Sequence, residues 1–140
     1  MSLKAIFSAL IFSILFTACS SKLTTLSNGK KIDNQLVGVW TGSEKDQQSQ
    51  GTTKYWTMTR EADGTFELDF TYVEDGEKSG FIEQGKWWIE GGKFHEYHNN
   101  TQMTDIYTYK VLNEKQVKFK SVKISIDMEK TDYEFIDTRK

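Results

Sequence analysis

"TFELDFTYV", residues 65–73, puts Phe66, Leu68, Phe70 and Tyr72 on one side of an extended chain and Glu67, Asp69 and Thr71 on the other. A period of two with one apolar and one polar side is the pattern of a strand that is dry on one face and wet on the other. "QVKFKSV" (116–122) repeats it, with Val117 and Phe119 opposing Lys118 and Lys120, and "TDIYTYKVL" (104–112) follows it more loosely. Between the alternating runs fall Asp63-Gly64, Asp75-Gly76, Gly91-Gly92 and Asn113-Glu114, pairs suited to tight hairpin connections. Beyond Gln35 no segment carries a helical apolar stripe. The pattern predicts an all-β domain of about eight strands near 36–42, 52–60, 65–73, 79–90, 93–98, 104–112, 116–123 and 131–138. Strands so closely spaced form an up-and-down antiparallel meander. Closure into a barrel removes its two edges outright and is the expected architecture, with a two-sheet sandwich as the alternative. The chain has no proline, so no interior strand lacks a ladder donor.

The chain has 140 residues, which bounds it to one domain, and its formal charge is −2. Lysines and arginines are interleaved with carboxylates, so there is no basic excess to point toward nucleic acid. A single cysteine forms no internal disulfide, and no Cys/His spacing matches a zinc site. Packing alone has to stabilise the fold.

"MSLKAIFSALIFSILFTAC" (1–19) starts with Lys4, continues through an apolar stretch from Ala5 to Phe16 and ends in Thr17, Ala18 and Cys19. That is the profile of a signal peptide. The apolar run is shorter than the roughly 20 residues a spanning helix needs. Phe16-Thr17-Ala18-Cys19 resembles the lipobox of bacterial lipoproteins. The resemblance implies that residues 1–18 are removed and that Cys19 is acylated and anchors the protein in a membrane. The other reading is an ordinary secretory signal that leaves Cys19 as a free thiol. Ser20 and Ser21 follow, with no Asp beside the cysteine, which by the same resemblance favours the outer membrane of a bacterial cell envelope. Residues 19–34, rich in Ser, Thr, Asn and Lys, are expected to be a flexible tether, and residues 35–140 the folded domain.

"LVGVWTG" (36–42) opens that domain with Gly38-x-Trp40, and "YEFIDTRK" (133–140) closes it with Arg139. The segments "LVGVW", "DGTFELDF", "GKWWIEGGKF", "IYTYKVLNEKQVKF" and "YEFIDTR", in that order over residues 36–139, resemble the small lipocalin-like lipoproteins of bacteria, of the calycin type. The resemblance implies a barrel in which Gly38, Trp40 and Arg139 close one end, the arginine packing across the indole. It also implies a small hydrophobic ligand as partner.

Trp56, Tyr72, Trp88 and Tyr107 are the candidate ligand-binding residues, lining an apolar pocket open at one end. The competing reading is that the aromatic residues fill a dry core. Adjacent Trp87 and Trp88 point to opposite sides of a strand; if Trp87 is inside with Ile89, Trp88 is outside, a candidate surface contact or a membrane-facing ring. "KFHEYHNN" (93–100) holds both histidines, but His95 and His98 diverge on a regular strand, so no metal site is expected and these residues read as a solvated strand end. Glu67, Asp69, Glu83 and Glu90 are expected mostly on wet faces. No nucleophile elbow or phosphate loop occurs, so no catalytic residue, enzyme activity or cofactor is assigned. The expectation is an envelope lipoprotein that binds a small hydrophobic molecule. Its alternative is a protein-interaction or inhibitor module with a filled core, contacting an envelope protein through exposed aromatics and the Lys118/Lys120 face.

Overall fold

The computed structural model describes residues 23–125 and 132–140; the candidate signal segment and Cys19 lie outside them. Ten strands form in chain order: β1 (Leu23–Thr25), β2 (Lys31–Asp33), β3 (Gly38–Lys45), β4 (Thr52–Arg60), β5 (Thr65–Glu74), β6 (Glu77–Glu90), β7 (Lys93–His98), β8 (Met103–Asn113), β9 (Gln116–Lys123) and β10 (Glu134–Arg139). No α-helix occurs among the described residues. From β3 to β10 each strand pairs antiparallel with the next, and β10 returns to β3 through Thr138↔Thr41 and Arg139↔Trp40. The eight strands close into a barrel, not a sandwich, so neither terminal strand is left as an edge.

The sequence accounts for most of this geometry. Asp75-Gly76 joins β5 to β6 and Gly91-Gly92 joins β6 to β7, with all four residues at positive φ, the backbone of hairpin turns whose twist matches the flanking strands. Alternation then points Phe66, Leu68 and Phe70 of β5 inward, opposite Trp87 and Ile89 of β6 and Phe94 of β7. Trp40, Trp87, Phe94, Val117 and Phe119 are fully buried, each aromatic or aliphatic side chain contributing about 1.5–3 kcal/mol by leaving water.

Residues 23–34 correct the expectation of a flexible tether. β1 and β2 form a hairpin with Leu23↔Asp33 and Thr25↔Lys31 in register, turned by Asn28-Gly29, and β2 extends the barrel sheet through Lys31↔Ile89 of β6. Strands of three residues are too short to show an alternation of their own. What holds them is burial of Ile32 and Asp33 against the barrel, which is not visible locally. Asp33 then accepts a hydrogen bond from Gln35 N at 2.9 Å and caps one 3₁₀ turn, Asn34–Leu36, that crosses beneath the barrel into β3.

The barrel is uneven in height. β7 pairs with β6 only from Gly85 to Glu90, whereas β5 accompanies β6 all the way to Glu77. Residues 77–83 therefore have β5 on one side and no strand on the other among the described residues. The β5–β6 hairpin stands above the rest as one wall of an open mouth.

Candidate functional site

One end of the barrel is shut. Trp40 lies inside, 1% exposed, and donates from Nε1 to Leu36 O at 2.8 Å. The Arg139 guanidinium sits 4.2 Å from the centre of its ring. From there it donates to Val37 O at 2.8 Å, Gln35 O at 2.7 Å and Glu114 O at 3.3 Å. Such a cation over an indole adds roughly 0.5–2 kcal/mol. Gly38 is needed beside it: φ is +126°, and a Cβ there would stand 2.5 Å from Arg139 Nη1. Gly38, Trp40 and Arg139 are thus brought together as a plug.

Above the plug lies a buried ionic tie. Arg60 and Asp137, 1% and 0% exposed, meet at 2.6 Å between Nη2 and Oδ2, and Trp56 Nε1 donates to the other Asp137 oxygen at 2.8 Å. The guanidinium lies 5.1 Å and 5.0 Å from the centres of the Phe94 and Phe119 rings, and its Nε and Nη1 have no hydrogen-bond acceptor among the described residues. Trp56 is held from a second side, because Gly42 leaves room for the indole: a Cβ there would meet the ring at 2.2 Å.

At the open end is a cavity of about 460 Å³, within the size range of small-molecule sites. Its apolar wall comes from Trp56 and Met58 of β4, Leu68, Phe70 and Tyr72 of β5, Phe81 of β6 and Phe135 of β10. Facing it is a polar wall of Glu83, Glu96, His98, Asp105 and Tyr107. His98 Nδ1 is 2.9 Å from Glu83 Oε1, and its Nε2 is 3.2 Å from Asp105 Oδ2 and 3.5 Å from Glu96 Oε1. Asp105 also accepts from Ser125 N at 2.7 Å, from the Ser125 hydroxyl, and from the Tyr107 hydroxyl at 3.4 Å. Burial alone would lower the His98 pKa, but the Asp105 hydrogen bond and the charges of Glu96 and Glu83 outweigh it and raise it to about 9. Burial pushes the Glu96 carboxyl up to about 7 against the pull of His98 and Arg60. Asp105 moves the other way: burial would raise it, and the bonds from His98 and Ser125 hold it low. At the rim Lys54 faces Glu44 at 3.4 Å, an ion pair without hydrogen-bond geometry at Glu44 Oε1, and donates to Gln48 Oε1.

Of the four residues expected to bind ligand, Trp56, Tyr72 and Tyr107 line the cavity. Trp88 does not. It lies on the outside, half-buried, stacked on His95 at 5.3 Å with Lys30 Nζ 3.8 Å above its ring. Parity decides this, since Trp87 takes the inner side. Glu83, expected on a wet face, is buried, because the residues at 83, 85, 87 and 89 all point inward. Glu96 and His98, expected at a solvated strand end, are buried beside Phe94 for the same reason. No group of three or more His, Cys, Asp or Glu arranged to hold a metal ion occurs among the described residues. On the outer surface Lys118 and Lys120 share Glu134 at 2.8 Å and 3.8 Å, which reduces the positive face they present.

Fold and site together define a closed eight-stranded antiparallel barrel with one plugged end and one cavity at its mouth. In comparison with known proteins, no family model, no curated protein and no solved structure matches the chain.

Proposed function

We propose that this chain is a lipid-anchored protein of a bacterial cell envelope whose lipocalin-like barrel binds one small, mainly apolar molecule in the mouth cavity. The observation that carries the reading is the cavity itself: seven apolar or aromatic side chains from four strands converge on one space. A filled barrel would have closed it. Anchoring through an acylated Cys19 in the outer membrane fits the same picture. Residues 20–22 separate Cys19 from β1, and at about 3.5 Å per residue they reach no farther than about 14 Å. β1 lies at the plugged end, where Leu23 borders a groove beside Gly91 and Gly92. The anchor would therefore hold the plugged end toward the lipid and turn the mouth away from it.

Native mass spectrometry of the full chain purified from its own membrane tests both parts. The expected result is acyl mass on Cys19 together with a retained small molecule, lost in a Leu68→Trp variant that fills the cavity. Cys19 unmodified with the signal removed overturns the anchor. A retained molecule unaffected by Leu68→Trp overturns the site.

A second reading, a protein-interaction or inhibitor module, is favoured by one feature: beside the unpaired edge of residues 77–83, Phe81 and Ile82 are 47% and 67% exposed. An added strand from another protein satisfies such an edge. Ile82→Asp would then abolish partner binding and leave ligand retention intact.

A further inference from the structure

The polar wall of the cavity holds more carboxylate than its own donors can serve. A doubly protonated imidazole has two N–H groups. Glu83 forms the ion pair at Nδ1, 2.9 Å away, and Asp105 takes the hydrogen bond at Nε2, where Glu96 is the more distant partner. Lys54 faces Glu44 instead. Glu96 is left with a 3.5 Å contact at one oxygen and no polar partner for the other among the described residues, although its side chain is only 9% exposed. It borders the cavity. A carboxyl so deeply buried and so poorly matched is costly unless something else supplies a donor or a positive charge.

The same cavity is lined by Trp56, Phe70 and Phe135, aromatic side chains that accommodate an apolar body. We propose that the occupant is a small organic amine bound as its cation, its ammonium seated against Glu96 and Glu83 and its apolar body against Trp56, Phe70 and Phe135. This rests on the reading of the cavity as a ligand site. The ammonium supplies the N–H donors that Glu96 lacks, and it offsets an excess of negative charge: Glu74, Glu83, Glu96 and Asp105 border the cavity against His98 and a Lys54 already committed to Glu44. A carboxylate-bearing ligand of the same shape meets repulsion.

The test compares 3-phenylpropylamine, 3-phenylpropanol and 3-phenylpropionate on the purified full chain, by titration calorimetry and tryptophan emission. The three probes share one apolar body. The expected order is amine tighter than alcohol by about tenfold or more, as a charged hydrogen bond in a dry site provides, with the carboxylate weakest. Glu96→Gln is expected to bring the amine down to the alcohol's affinity and leave the alcohol unchanged. In the unaltered protein the amine's affinity should rise several-fold from about pH 6 to about pH 8 while the alcohol's stays flat. The cause is ionisation of Glu96, which feels His98 on its own strand, Asp105 and Tyr107 on β8, Arg60 on β4, and Tyr133 and Asp137 at β10, with Glu83 of β6 acting on the same imidazole. This comparison needs no variant to fold. Alcohol bound as tightly as amine, or carboxylate preferred, overturns the cation and leaves the ligand site standing. If none of the three binds, the ligand site falls as well.

Discussion

Replacing Asp137 with alanine removes the acceptor of two buried donors at once. Arg60 Nη2 and Trp56 Nε1 both end on this carboxylate, and Arg60 Nε and Nη1 already lack an acceptor among the described residues. The variant therefore leaves a guanidinium that is 1% exposed without its hydrogen-bonded counter-charge. A buried pair broken on one side costs about 3–5 kcal/mol, a large share of the 5–15 kcal/mol typical of a whole domain. With a urea m-value of about 2 kcal/mol/M, the unfolding midpoint should fall by about 1.5–2.5 M. Tryptophan emission is the assay, since Trp56 loses its tether in the same step. The control is the double variant Arg60→Met/Asp137→Leu. It replaces both charges with side chains that pack against Trp40, Phe94 and Phe119, and leaves only the Trp56 N–H unpaired, at about 1–2 kcal/mol. The double variant should thus be more stable than the single one by about 2–3 kcal/mol. A loss below about 1 kcal/mol for Asp137→Ala, or a double variant no better than the single, would refute the argument that Asp137 exists to neutralise Arg60.

Gly38→Ala should destabilise the plugged end by about 1–3 kcal/mol, since φ of +126° and the 2.5 Å approach of Arg139 Nη1 act together; a chemical-denaturation shift within error would contradict it. Stability should fall as pH rises from about 4.5 to about 9. Glu96 and His98 both have raised folded pKa values, to about 7 and about 9, so each binds its proton more tightly folded than unfolded and withdraws that stability as pH climbs through its folded value. His98→Asn should flatten the upper part of the slope, between about pH 6.5 and about 9, in thermal melts recorded across pH. Trp88→Ala, on the outer surface with Lys30 and His95, should change stability by no more than about 1 kcal/mol and leave amine binding unaltered in calorimetry.

How these residues meet also decides what the sequence could disclose. Eight strands and their turns were legible because the signal is local: alternation fixes the inner face of β5, and Asp-Gly or Gly-Gly pairs mark where a hairpin turns. The β1–β2 hairpin was not, because three-residue strands take their register from Ile89 and not from a pattern of their own. The aromatic half of the cavity followed from the same alternation, as Trp56, Tyr72 and Tyr107 illustrate. The ionic half was governed by parity too, yet hydrophobicity read one residue at a time assigns Glu83, Glu96 and His98 to water. Parity places Glu96 and His98 on the side of Phe94, and Glu83 on the side of Trp87. Charged groups remain inside only if partners arrive from other strands. Here they arrive by register: Gly85 opposite His98 sets Glu83 of β6 next to the imidazole, and Glu96 opposite Asp105 brings in β8. Those pairings join positions with no sequence signature in common, so the satisfaction that makes a buried charge tolerable appears only once the barrel closes. Of the three buried carboxylates around His98, Glu96 stands farthest from it, at 3.5 Å, and is for that reason the one that directs attention to an occupant.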